Sequence, residues 1–148
     1  MSEARRAYEA AANVLEVPVA PLPVVLPLQI PVRDGSTIGA RLYRPLPLLA
    51  GVAPMPALLY CHGGGFTIGS VDTHDVLCRE LARLTPCTVL SLDYRRAPEH
   101  RFPTAVHDVW DTLRWLHGQG WASVGADPHR LAVGGDSAGG TLAAVAAA

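Results

Sequence analysis

The sequence predicts an α/β protein in which an antiparallel N-terminal hairpin leads into parallel strands with crossover helices. Two strand-like runs flank an Asp-Gly turn near the start, and beyond them short apolar runs alternate with helical periodicity. Two glycine-rich turns also fall where predicted strands end.

Taken in order, residues 3–16 read as a short Ala-rich helix, because Ala, Glu and Arg favour helix and Pro18 stops the pattern. The proline-punctuated stretch after it is extended. Residues 26–32 and 37–43 are the hairpin strands, joined by Arg33-Asp34-Gly35-Ser36, where the Asp-Gly pair supplies the positive φ of a tight turn. Residues 57–61 form a buried strand, 72–84 a helix apolar at Val76, Leu77, Leu81 and Leu84, and 88–92 the next strand. Residues 103–116 follow as a helix that carries Val106, Val109, Trp110, Leu113 and Leu116 on one face. A last strand covers 131–133, and a helix over 138–147 starts directly after it.

The chain has 148 residues, 49% hydrophobic and 17% charged, with a formal net charge of −1. That is enough for one domain burying roughly 68–70% of its unfolded surface. The balance argues against disorder and against a nucleic-acid partner, which usually meets a basic patch. All twelve basic residues are Arg, so a Schiff base, a Ser-Lys dyad and a P-loop lysine are excluded. Cys61, Cys78 and Cys87 form no C-x-x-C pair, and their odd number argues for reduced, buried thiols. Glu3, Glu9 and Glu16 interrupt any signal-peptide core, and Pro18, Pro21, Pro23, Pro27 and Pro31 break the longest early uncharged stretch. A cytoplasmic protein without a membrane segment is expected.

The strongest chemical signal is Gly135-Asp136-Ser137-Ala138-Gly139, a G-x-S-x-G at a predicted strand-to-helix junction. A serine at such a bend adopts a strained backbone that projects its hydroxyl above the sheet, and the flanking glycines leave room for it. The helix start at Ala138 also points amides and a positive dipole end toward the site. Upstream, Cys61-His62-Gly63-Gly64-Gly65-Phe66 leaves another strand end. Consecutive glycines allow close backbone approach and inward-facing N–H groups, the requirement for stabilising an oxyanion. A phosphate cradle would want a lysine or an immediate helix, and residues 66–71 intervene instead.

These blocks resemble the hormone-sensitive-lipase-like carboxylesterases of the α/β-hydrolase superfamily. Besides HGGGF and GDSAGG, the run from Asp93 to His100 (DYRRAPEH), Phe102-Pro103 and Asp127-Pro128-His129-Arg130 look like the family's further motifs, in the same order. The resemblance implies an α/β-hydrolase fold truncated after the nucleophile-elbow helix. Residues 1–20 would hold one partial N-terminal cap helix, the first of the family's two being absent, and 21–148 the N-terminal half of the hydrolase domain. It implies Ser137 as nucleophile and the amides of Gly64, Gly65 and Ala138 as the oxyanion hole. Gly63 would shape that loop and His62 brace it. Asp93, Tyr94, Arg95 and Glu99 are expected as a hydrogen-bonded brace beneath the site. Arg96 stands where the family usually has leucine, and Thr141 where asparagine is common; both bear on local packing.

The resemblance also implies a triad in the order Ser, Asp or Glu, then His, yet no Asp, Glu or His follows Ser137. All six histidines precede it: His62, His74, His100, His107, His117 and His129. His107, His117 and His129 are expected far from Ser137, while His74 and His100 follow strand ends on its side and are the candidate substitutes. The expected function is a cofactor-free, metal-free serine carboxylesterase acting on small-molecule short or medium acyl esters through an acyl-enzyme, with this chain inactive alone. The alternative is a non-catalytic ligand-binding module on the same fold; an acyltransferase or amidase is a weaker third. The truncated sheet would leave residues 131–133 as an exposed edge, a template for self-association.

Overall fold

The computed structural model describes residues 1–15, 18–49 and 51–148. Helix α1 (Ser2–Leu15) precedes β1 (Val24–Pro31) and β2 (Thr37–Arg44). Then come β3 (Met55–Cys61), α2 (Asp75–Leu84), β4 (Thr88–Asp93) and α3 (Thr104–Trp115). A π-helical turn (Leu116–Gly120) runs into the short α4 (Trp121–Val124), followed by β5 (Ala126–Gly135) and α5 (Ala138–Ala147). The expected helix at the N-terminus is present; its predicted end at Glu16 lies outside the described residues.

The strands form one five-stranded sheet in the order β1-β2-β4-β3-β5. The first pair is an antiparallel hairpin whose turn closes with Gly35 N–H donating to the Val32 carbonyl at 3.0 Å, Gly35 standing at φ 84°. Strand β2 pairs antiparallel with β4, while β3 pairs parallel with both β4 and β5. The parallel register puts Cys61 beside Leu92 on one side and beside Gly135 on the other. Three chain segments therefore leave the same end of the sheet together: the glycine loop, the DYRR segment and the serine elbow.

Alternation along the central strands sends side chains to two layers. Leu59, Cys61, Leu90 and Leu92 pack with Val109 of α3 and Leu142 and Ala146 of α5, whereas Tyr43, Tyr60 and Val89 pack with Cys78 and Ala82 of α2. Strand β5 ends the sheet order, and among the described residues its outer edge pairs with no strand. Leu131 and Val133 on it are half-buried against the larger core cluster.

Two helix faces differ from expectation. On α2 the sheet side is made by Val76, Cys78 and Ala82, while Leu77 and Leu84 are turned to solvent, Leu84 at 68% exposure. Small residues let the helix sit close to the sheet, and its start is set by Asp75, which accepts from Arg41 and Tyr43 at 2.9 and 2.7 Å. On α3, Trp110 is 46% exposed. Asp108 and Asp111 face inward instead, to meet Arg95 and Arg33, and those pairs set the rotation of the helix. The π turn, where Gly120 lies so close to the Trp115 ring that a Cβ would overlap it, carries no periodic signal, and β5 begins at Ala126, five residues before the expected start at 131.

Candidate active site

The elbow is built where β5 stops. Ser137 stands at φ 50°, ψ −118°, a conformation rare for a residue with a Cβ, and α5 begins at the next residue. A Cβ on Gly135 or Gly139 would overlap the Cys61 carbonyl of the neighbouring strand. The two glycines of the motif are thus required by the close packing of β5 and α5 on the end of β3. Ser137 itself is exposed.

The glycine loop continues from β3 beside it. Gly64 and Gly65 have φ of 122° and 59°, followed by Phe66 at 63°. A Cβ on Gly64 would run into the Ile68 carbonyl, and one on Gly63 into the Asp136 carboxylate. Among the described residues the N–H groups of Gly64, Gly65 and Ala138 meet no protein acceptor. The Gly63 N–H does: it donates to Asp136 Oδ1 at 2.8 Å. Gly63 therefore shapes the loop rather than offering a free donor.

Asp136 is the tie that the motif's variable position concealed. Its Oδ1 also accepts from the Tyr60 hydroxyl at 2.8 Å and faces His74 Nε2 at 3.2 Å. Nothing in the sequence distinguishes this aspartate from any other middle residue of a G-x-S-x-G. His74 is a correction to the sequence reading. His74 Nδ1 is hydrogen-bonded to Thr73 Oγ1 at 2.8 Å, and that hydroxyl also lies 2.9 Å from the Ser70 carbonyl. With Nε2 held by Asp136, no ring nitrogen is left to take a proton from Ser137. The other candidate, His100, makes no hydrogen bond to Ser137 among the described residues and borders an apolar cavity instead. His117 and His129 lie together at the far end of β5, their rings 6.3 Å apart.

His62 is fully buried, stacked on Tyr94 at 4.3 Å between ring centroids, with Nδ1 2.8 Å from the Gly63 carbonyl. Nδ1 is the donor, which leaves a bare, partnerless Nε2. Burial pushes the ring down to about 4, against about 6.5 for an unfolded histidine. Between those values the unfolded chain binds a proton that the folded one refuses. Stability from this site is thus complete above pH 6.5 and is lost as pH falls toward 4, by an amount on the order of 3 kcal/mol. Urea unfolding at pH 7 and pH 4.5 should show that loss, and His62→Gln should flatten it; an equal slope in both proteins would count against this account.

The neighbouring segment holds the loop in place. The Tyr94 hydroxyl donates to the His62 carbonyl at 2.8 Å, and the Ala97 N–H to the Phe66 carbonyl at 2.9 Å. Arg96, where leucine is usual, donates to the Gly69 carbonyl. Arg5 of α1 reaches the carbonyls of Thr67 and Ala97, both at 2.8 Å, and pairs with Glu99 at 2.7 Å. That contact ties the first helix to the glycine loop and had no sequence signal. Asp93 is the exception within the segment: its Oδ1 is buried without a hydrogen bond. Beyond Gly65 and Phe66 opens an apolar cavity of ≈ 530 Å³, walled by Phe102, Val106, Leu142 and Val145.

A serine on a strand-to-helix elbow, tied through Asp136 to the glycine loop at a second strand end, is the arrangement of an α/β-hydrolase fold. Residues 58–148 match the family described as the alpha/beta hydrolase fold, and the chain belongs to that family. It is 45% identical over 148 residues to the ethyl acetate hydrolase of Pseudomonas putida, covering 98% of this chain and 45% of that protein. The crystal structure of EstE1, a thermostable carboxylesterase from a metagenomic library, superposes with a TM-score of 0.89 at 46% identity, over 98% of this chain and 48% of that one. A gibberellin receptor of Oryza sativa subsp. japonica is 42% identical over 93 residues, covering 61% of this chain and 26% of the receptor. The chain thus spans less than half the length of these relatives. No described helix is long and apolar enough to cross a membrane.

Proposed function

We propose that the chain carries the nucleophile and oxyanion hole of a serine carboxylesterase acting on short or medium acyl esters. The observation that carries this reading is the strained Ser137 at its elbow, beside the unpaired amides of Gly64, Gly65 and Ala138. In the reaction, Ser137 Oγ attacks the ester carbonyl carbon and loses its proton to a base. The carbonyl π electrons move to oxygen, which accepts hydrogen bonds from those amides. Collapse expels the alcohol and leaves an acyl-serine that water hydrolyses. His62 and Gly63 hold the loop, and the apolar cavity beyond Gly65 receives a hydrocarbon part of the substrate.

On the same reading the protein works in the cytoplasm on a small-molecule ester, without cofactor, metal, nucleic acid or membrane. The outer edge of β5 is its surface for self-association. A second reading, a ligand-binding module on this scaffold, is favoured by the similarity to a protein named a receptor.

A fluorophosphonate probe discriminates, because it needs the nucleophile and the oxyanion donors but only one turnover. Long incubation with added imidazole as an external base should phosphonylate Ser137 stoichiometrically, read by intact and peptide mass spectrometry, with no adduct in Ser137→Ala. Label spread over other serines, or none, would remove the esterase reading.

A further inference from the structure

A buried cation lies at the opposite end of the sheet from Ser137. Arg44 ends β2, next to the residue paired with Val89 near the start of β4, and it is 1% exposed. Among the described residues no carboxylate forms an ion pair with it. Burial alone acts on its ionisation, pushing it below the usual arginine range with no acid to counter.

Its hydrogen bonds are few and long for a charged donor. Nε reaches Thr88 Oγ1 at 3.2 Å and Nη1 the Pro47 carbonyl at 3.3 Å. Nη2 has no acceptor among the described residues. The guanidinium lies face-on to Gly125, where a Cβ would stand 2.7 to 2.9 Å from Cζ and both Nη atoms. Buried charges are normally paired, so this one is a half-finished site.

The space it opens onto is a cavity of ≈ 340 Å³ walled also by Leu48, Val52, Pro54, Trp121, Ala122 and Ser123, within the size range of small-ligand sites. The Trp121 indole N–H has no acceptor among the described residues. Ser123 already donates its hydroxyl proton to the Gly120 carbonyl at 2.7 Å. One planar cation beside the side chains of Trp121, Leu48 and Val52 matches a planar monoanion with an apolar body, whereas a phosphate dianion would want more donors.

We propose that this cavity is a second binding site, separate from the Ser137 elbow, for a small monocarboxylate. The carboxylate pairs with Arg44 and the apolar body lies against Trp121, Leu48 and Val52.

The test titrates hexanoate against the whole chain by two-dimensional NMR, with 1-hexanol and inorganic phosphate as parallel probes. Saturable hexanoate binding is expected, with shifts at the Trp121 indole and Gly125, and with both other probes at least about tenfold weaker. Arg44→Met should weaken hexanoate by about tenfold or more. Because truncating a buried arginine also disturbs packing, Ala122→Trp is the second variant: it fills the cavity with Arg44 in place and should abolish saturable binding. Ser137→Ala should leave the affinity unchanged. Hexanol or phosphate binding as tightly as hexanoate, unchanged binding in Ala122→Trp, shifts centred on Ser137, or no saturation at millimolar hexanoate would each overturn the proposal.

Discussion

Short-chain p-nitrophenyl esters incubated with the 148-residue chain should be hydrolysed no faster than with its Ser137→Ala variant. A serine hydroxyl is a weak nucleophile until a positioned base takes its proton. Every Asp, Glu and His of the chain precedes Ser137, and His74, adjacent through Asp136, has both ring nitrogens engaged. Loss of the base from a serine triad lowers kcat by about 10⁶, and the oxyanion hole with binding alone retains only about 10³–10⁴ over water. Stoichiometric labelling by a highly reactive phosphonate remains compatible with this, because it asks for one attack rather than a cycle. Continuous turnover that disappears in Ser137→Ala would show that a base on this chain reaches the hydroxyl after all.

Asp108→Ala should destabilise the fold by about 3–5 kcal/mol, the loss seen when one partner of a buried ion pair is removed. Asp108 is fully buried and accepts from Arg95 Nη2 at 2.6 Å and from the Arg95 backbone N–H at 2.9 Å. Without it the guanidinium keeps only the exposed Asp34, and a backbone donor loses its acceptor. At about 2–4 °C per kcal/mol for a domain of this size, the midpoint of thermal unfolding should drop by roughly 6–20 °C. Arg95 adjoins Tyr94, which bonds the His62 carbonyl, so amide exchange in the glycine loop should quicken as well. A loss under about 1 kcal/mol would mean that Asp34 and water replace Asp108, and that the DYRR segment is held by something else.

Much of the scaffold was legible because its signals are local. Gly35 and the hairpin, the apolar runs of β3 and β4, and the start of α5 after the elbow all follow from backbone propensities within a few residues. The helix faces were not legible. Asp108 and Asp111 occupy positions that a helical wheel assigns to solvent, and only their partners, Arg95 and Arg33, turn them inward. Leu77 and Leu84 were misplaced for the related reason that α2 meets the sheet through small residues.

For the site the division is similar. The amino-acid order alone determined that a serine sits between obligatory glycines at a strand end and that a triple-glycine run leaves another strand. Only the tertiary structure decided that Cys61 and Gly135 stand in register, that Asp136 ties the elbow to Gly63 and His74, and that Arg5 ties the first helix to Thr67 and Ala97. The reason is sequence separation. Propensity and periodicity act over a turn or a strand, whereas these hydrogen bonds join residues dozens of positions apart, and their partners become neighbours only when the sheet assembles.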